Sequence, residues 1–146
     1  MTRPFVLASL FTAAILVVGC GPPPPREYDE QTVAAADMFK KVAAAYMQAY
    51  QSKKKPPTAD DLKPLLKQHG DSIESLISPR DHKPIVLVPF VPGSQFAEDE
   101  MPILAYEAEG VNGERMIVDS RGVVRLEKDA DFARIKFAGG HKPGTK

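Results

Sequence analysis

Two proline runs frame a stretch that local chemistry leaves almost no choice but to form one long helix. The segment TVAAADMFKKVAAAYMQAYQSKKK, residues 32–55, is rich in alanine and holds neither glycine nor proline. Pro22-Pro23-Pro24-Pro25 lies before it and Pro56-Pro57 stops it. Val33, Ala36, Phe39, Val42 or Ala43, Tyr46 and Tyr50 recur at spacings of three and four, the pattern of a helix with one apolar stripe. Asp29 or Thr32 can cap its start, and Asp29, Glu30 and Asp37 place acid toward the positive end of its dipole. Lys53, Lys54 and Lys55 fall where cations suit a helix C-terminus and read as a solvated end. The aromatic stripe reads as core.

A second, shorter helix follows. Thr58 to Asp61 resembles a capping box, and Leu62, Leu65 and Leu66 form an apolar side. Pro64 falls late for a first-turn proline and predicts a kink or a short first turn. Gly70 suits the residue after a helix end. Asp71-Ser72 then begins a short turn through Ile73, Leu76 and Ile77, which Ser78-Pro79 stops.

Beyond this point the period changes to two. KPIVLVPFV predicts a strand, with Pro89 implying an edge or an early end. ILAYEAE alternates Ile103, Ala105 and Glu107 against Leu104, Tyr106 and Ala108. Asn112-Gly113 is a hairpin signal, ERMIVDS the returning strand, and Arg121-Gly122 a second turn. VVRLE predicts a further strand with Val124 and Leu126 on one face. DADFARIKF supplies Phe132, Ile135 and Phe137 as apolar anchors, and residues 138–146 are expected to be disordered. Helices first and an antiparallel meander after them predict an α+β domain over residues 29–137. Its long helix should cover one face of a three- or four-stranded sheet.

The 146 residues carry 19 Lys+Arg and 19 Asp+Glu, so bulk charge gives no case for nucleic-acid binding. Residues 5–18 bear no charge and follow Arg3. That length fits the apolar region of a signal peptide and falls short of the roughly 20 residues a membrane span needs. The one cysteine, Cys20, comes next, so no intrachain disulfide can form. Neither a helix N-terminus nor a nearby His is there to activate it as a nucleophile. Val17-Val18-Gly19-Cys20 resembles the lipobox of bacterial lipoproteins, the other reading being an incidental Cys in an uncleaved anchor. The resemblance implies cleavage between Gly19 and Cys20, removal of residues 1–19 and a diacylglycerol thioether on Cys20. Two or three acyl chains anchor durably where one does not. Gly21 in place of Asp implies sorting to the outer membrane, facing the periplasm. In residues 20–28 the four prolines would form a polyproline II spacer of about 12 Å.

The folded part resembles the soluble domain of type II secretion pseudopilins, the major one especially. In SPRDHKPIVLVPFVPG, residues 78–93, Asp81, Pro84 and Pro92-Gly93 match a family segment whose Trp, Gly and Tyr are absent here. Residues 103–132 are similar to the C-terminal hairpin of pilin-like proteins of planctomycete-type bacteria. Where those carry an Asp-Gly, this chain has Asp119-Ser120-Arg121-Gly122, and it lacks their hairpin His. The resemblance covers about residues 29–137 and implies a pilin-like fold. A lipobox and prolines stand where a pilin has its cleavage site and filament helix, which implies a domain detached from filament building.

No catalytic constellation is evident. His69, His82 and His141 are scattered and read as solvated, without zinc-ligand spacing. Gly-x-Ser-x-Gly, Walker and Gly-x-Gly-x-x-Gly motifs are absent. Glu98-Asp99-Glu100 is the densest acidic cluster. It reads first as a solvated loop tip and, through the resemblance to calcium-binding pseudopilins, as a calcium site, although the alternating ligands of a strong calcium loop are missing. The expectation is a non-enzymatic protein without cofactor or small-molecule substrate. It would be held to the membrane by the lipid on Cys20 and would act on another envelope protein or the wall matrix. An accessory subunit of a secretion or pilus-like apparatus is the alternative, and a hydrolase ranks last.

Overall fold

The computed structural model describes residues 27–68, 76–89 and 101–144. Over these the chain is α+β: a long helix packed on a four-stranded antiparallel sheet. The elements are α1 (Glu30–Lys53), α2 (Ala59–Gln68), β1 (Val86–Leu87), β2 (Ile103–Tyr106), β3 (Glu114–Asp119), β4 (Val124–Lys128) and a single turn of helix, α3 (Asp129–Phe132). A 3₁₀ turn, Ala138–Gly140, follows. The strands lie in the order β1-β2-β3-β4, a meander in which each strand is antiparallel to the next in sequence.

Of the two possible caps of α1, Asp29 is used: its Oδ1 accepts the Thr32 N–H at 2.7 Å. Lys54 ends the helix in a left-handed conformation (φ 55°), and its N–H donates to the Tyr50 carbonyl at 2.7 Å. The buried face is Ala35, Phe39, Val42, Ala43, Ala45, Tyr46 and Ala49. It is therefore turned relative to the expected stripe. Val33 is 57% exposed, and Ala36 and Tyr50 are only partly covered. Hydrophobicity ranks Val33 above Ala35, but close approach of helix to sheet favours the small side chain.

Thr58 donates its N–H and its hydroxyl to the Asp61 carboxylate at 2.8 and 2.9 Å. Lys53 pairs with the same carboxylate, which ties the end of α1 to the start of α2. Leu62 and Leu66 are fully buried, and Leu65 is half-buried. α2 runs through Pro64 without stopping. The ring is exposed, so the carbonyl that loses its partner faces water. Gly70 and Ile73 lie outside the described residues.

β1 is the short edge strand that Pro89 implied. The alternation expected in β2 breaks. Leu104 and Ala105 both join the cluster under α1, whereas Ile103 and Tyr106 join the opposite face. A register irregularity between Ile103 and Ala105 causes this, because one extra residue in a strand shifts every later side chain to the other face. In β3, Met116 and Val118 point to the helix side and Ile117 away. Val124 and Leu126 share the helix side, as expected.

Both faces of the sheet are thus covered. α1 and α2 cover one, while Val88, Phe132, Ile135 and Phe137 cover the other. The expected disorder of residues 138–146 does not hold for 138–144. Ala138 is buried, and Gly139 at φ 62° and Gly140 at φ 71° turn the chain back. His141 Nε2 then lies 2.9 Å from the Tyr106 hydroxyl, with its ring against Phe137. Two glycines that read as disorder make this turn, so His141 is half-buried rather than solvated, and burial lowers its pKa.

Phe39 is fully buried, so Phe39→Ala is expected to lower unfolding free energy by about 3–5 kcal/mol in urea denaturation. A second expectation concerns acid. Hydrogen bonding from Thr32 holds the Asp29 carboxyl below its ordinary pKa. Bonds from Lys53 and then Thr58 do so more strongly for Asp61. Both folded values lie below the unfolded ones. The stability they add is therefore present above about pH 4 and is lost as pH falls through the folded values. Melting temperature should fall on acidification below about pH 4, and less steeply in Asp61→Asn.

Candidate functional site

The expected site residues divide by place. Gly19 and Cys20 and the acidic cluster Glu98, Asp99 and Glu100 lie outside the described residues. Among the described residues no group of three or more His, Cys, Asp or Glu is placed to hold a metal ion. No described helix is long and apolar enough to cross a membrane.

The densest polar chemistry in the described residues is buried. Glu107 follows β2 and is fully enclosed. Its Oε1 accepts the Ser78 hydroxyl at 2.7 Å. Its Oε2 accepts Arg80 Nη1 at 2.5 Å and the Met116 N–H at 2.9 Å. All three partners donate, the arrangement a carboxylate requires. Burial pushes the Glu107 pKa up, while Met116, Ser78 and Arg80 pull against it. The Arg80 side chain is itself only 7% exposed. A serine, an arginine and a glutamate lie within bonding distance, and the bonds between them join the turn before β1 to the end of β2. Ser78 Oγ also accepts the Arg80 N–H at 3.2 Å.

Two further aspartates, Asp81 and Asp119, are also structural. Asp81 Oδ2 accepts the N–H groups of Glu109 and Gly110 at 3.0 and 3.1 Å, and its Oδ1 accepts the Lys83 N–H at 3.0 Å. Gly110 sits at φ +75°, and a Cβ there would lie 2.5 Å from the Glu114 carbonyl oxygen, so only glycine fits. Asp119 is fully buried, and its Oδ1 accepts the N–H groups of Arg121 and Val123 at 2.8 and 3.0 Å. It thereby shapes the β3–β4 turn, with Gly122 at φ 79°.

Two surface depressions among the described residues flank β4. On its helix side a groove of about 190 Å³ is lined by Tyr28, Val33, Ala36, Val124 and Leu126, with Asp37 and Lys40 at its margin. Tyr28 and Val33 are 54% and 57% exposed there. On the other side a charged cleft of about 340 Å³ is lined by Arg121, Arg125, Glu127, Asp131, Arg134 and Lys136 among others. Arg125 Nε pairs with Glu127 Oε1 at 2.6 Å. β4 itself is a sheet edge of five residues.

Sequence reasoning found Val124 and Leu126 as a shared face. It missed the Ser78–Arg80–Glu107 cluster, because Glu107 reads as one more polar residue in an alternating strand. An arginine two residues after a serine gives no local sign that it meets a glutamate 27 positions on. No protein-family model matches this chain, and neither a curated protein nor a solved structure is found to be similar to it.

Glu107→Ala would leave Arg80 buried without its partner. The expected loss is about 3–5 kcal/mol of stability, read by chemical denaturation.

Proposed function

We propose that this chain is a lipid-anchored protein of the bacterial cell envelope that acts by binding another protein or the envelope matrix, with no chemistry of its own. One observation carries the reading: Val17-Val18-Gly19-Cys20, then Gly21 and four prolines, then the helix cap at Asp29. A signal cut before Cys20, an acylated thiol and a stiff spacer of about 12 Å would set the domain just clear of the lipid. Gly21 favours the outer membrane, with the domain facing the periplasm. Support comes also from the described polar clusters, whose serine, arginine and carboxylates are engaged in the fold.

A second reading is favoured by the fold layout. A long helix on a four-stranded antiparallel sheet, with the Asp81 and Pro84 match in the segment before β1, fits an accessory subunit of a type II secretion or pilus-like apparatus. Mild crosslinking of membranes followed by pull-down separates the two. Recovery of secretion-apparatus components supports the second reading, and recovery of other envelope proteins or wall fragments supports the first.

For the anchor, Cys20→Ser is expected to abolish metabolic fatty-acid labelling and to release the protein from the membrane fraction or mislocalise it. Labelling of the variant at the parent level overturns it.

A further inference from the structure

We propose that the open edge of β4 pairs with β4 of a second copy of this chain, antiparallel, about a two-fold axis through Leu126. The inference stands apart from the lipid anchor and would hold for the domain on any support.

The two sheet edges are not alike. β1 has two residues and Pro89 follows shortly after it, which blunts that edge against pairing. β4 has five residues without proline, Val-Arg-Leu-Glu-Lys, and among the described residues its outer side faces no other strand. The direction of its free groups follows from its bonds to β3. Asp119 N–H donates to the Val123 carbonyl at 3.1 Å, and Asp129 N–H to the Gly113 carbonyl at 2.9 Å. Bonded positions alternate along an antiparallel strand. Residues 123, 125, 127 and 129 therefore turn their backbone groups to β3. Val124, Leu126 and Lys128 turn theirs outward.

A two-fold axis at Leu126 uses those outward groups. Leu126 faces its own copy, and Val124 faces Lys128 of the second copy, both as hydrogen-bonded pairs. The same register sets Arg125 opposite Glu127 of the second copy, and Glu127 opposite its Arg125. Edge charges of one sign would repel a copy. Here the signs are opposite and symmetric about Leu126, so a copy is attracted in one register. The apolar groove formed by Tyr28, Val33, Ala36, Val124 and Leu126 lies along the same edge, and the same groove of the second copy would meet it across the axis.

The test uses the full chain as purified, with the association constant read by sedimentation. The parent is expected to be a dimer. Arg125→Glu and Glu127→Arg each place like charges opposite twice over, and each should weaken association about tenfold or more. The double variant, with both charges exchanged, should restore it. Thermal melting confirms that all four proteins are folded at the measuring temperature. Paired Leu126 Cα atoms would lie about 5.5 Å apart, within disulfide reach. Leu126→Cys should therefore form a self-crosslink under mild oxidation. Val124→Cys, offset by four residues from its own copy, should not, and the parent is the control for Cys20. A monomeric parent, single variants that associate like the parent, or a Leu126→Cys adduct with a different protein would each overturn the proposal.

Discussion

The Arg80–Glu107 ion pair stands where three pieces of chain meet. Glu107 continues β2: its N–H donates to the carbonyl of Met116 in β3, and its carboxylate accepts the Met116 N–H. Ser78 and Arg80 belong to the turn that leads from the helices into β1. Asp81, in that same turn, holds the far side of the β2–β3 connection through Glu109 and Gly110. Removing a charge from water costs several kcal/mol, and good geometry is needed to offset it. The pair therefore tolerates little displacement. An apolar contact of equal area would let the turn slide, whereas this one fixes the turn and the end of the sheet relative to each other.

The sheet is small, and its strands are short, yet β2 is buried along its whole length. That follows from cover on both faces. The helix side is lined largely by alanines of α1, which let the helix lie close. The opposite side is covered by Phe132 and Phe137 with Tyr106, whose ring centroids lie 5.0–5.6 Å apart in edge-on or tilted arrangements. Arg115 extends over Phe132 at 4.8 Å. The two layers use different chemistry for one purpose: close backbone approach on one side, large rings on the other.

Local rules reached the elements well. Proline and glycine placement, helical spacing and the Asn112-Gly113 turn gave the helices, the meander and the α+β class. Asn112 and Gly113 take φ values of 54° and 75°, as that pair of residues suggests. What local rules missed was decided by contacts distant in sequence. The face of α1 depended on how near the sheet came, which favoured Ala35 over Val33. The side chains of β2 depended on an irregularity against β3 between Ile103 and Ala105, which Pro102 just before the strand does not by itself reveal. The order of residues 138–144 depended on Tyr106 being in place to receive His141. In the region around β4, Val124 and Leu126 were legible from period two. The flanking groove and cleft were not, because they bring together α1, β4 and the segment after it.

One contact in the core has a consequence for how the helix is indexed. The Tyr46 hydroxyl donates to the Val88 carbonyl at 2.8 Å, inside the molecule. The face of α1 around it sets Phe39 and Val42 among Ala35, Ala43, Ala45 and Ala49. A one-turn slip of about 5.4 Å would move Phe39 and Val42 out of their places in the core. It would strand the phenol in the core and leave a carbonyl without its donor. Tyr46 thus acts as a detent beside the packing of Phe39 and Val42: apolar contact holds α1 on the sheet, and one phenol oxygen adds a directional stop.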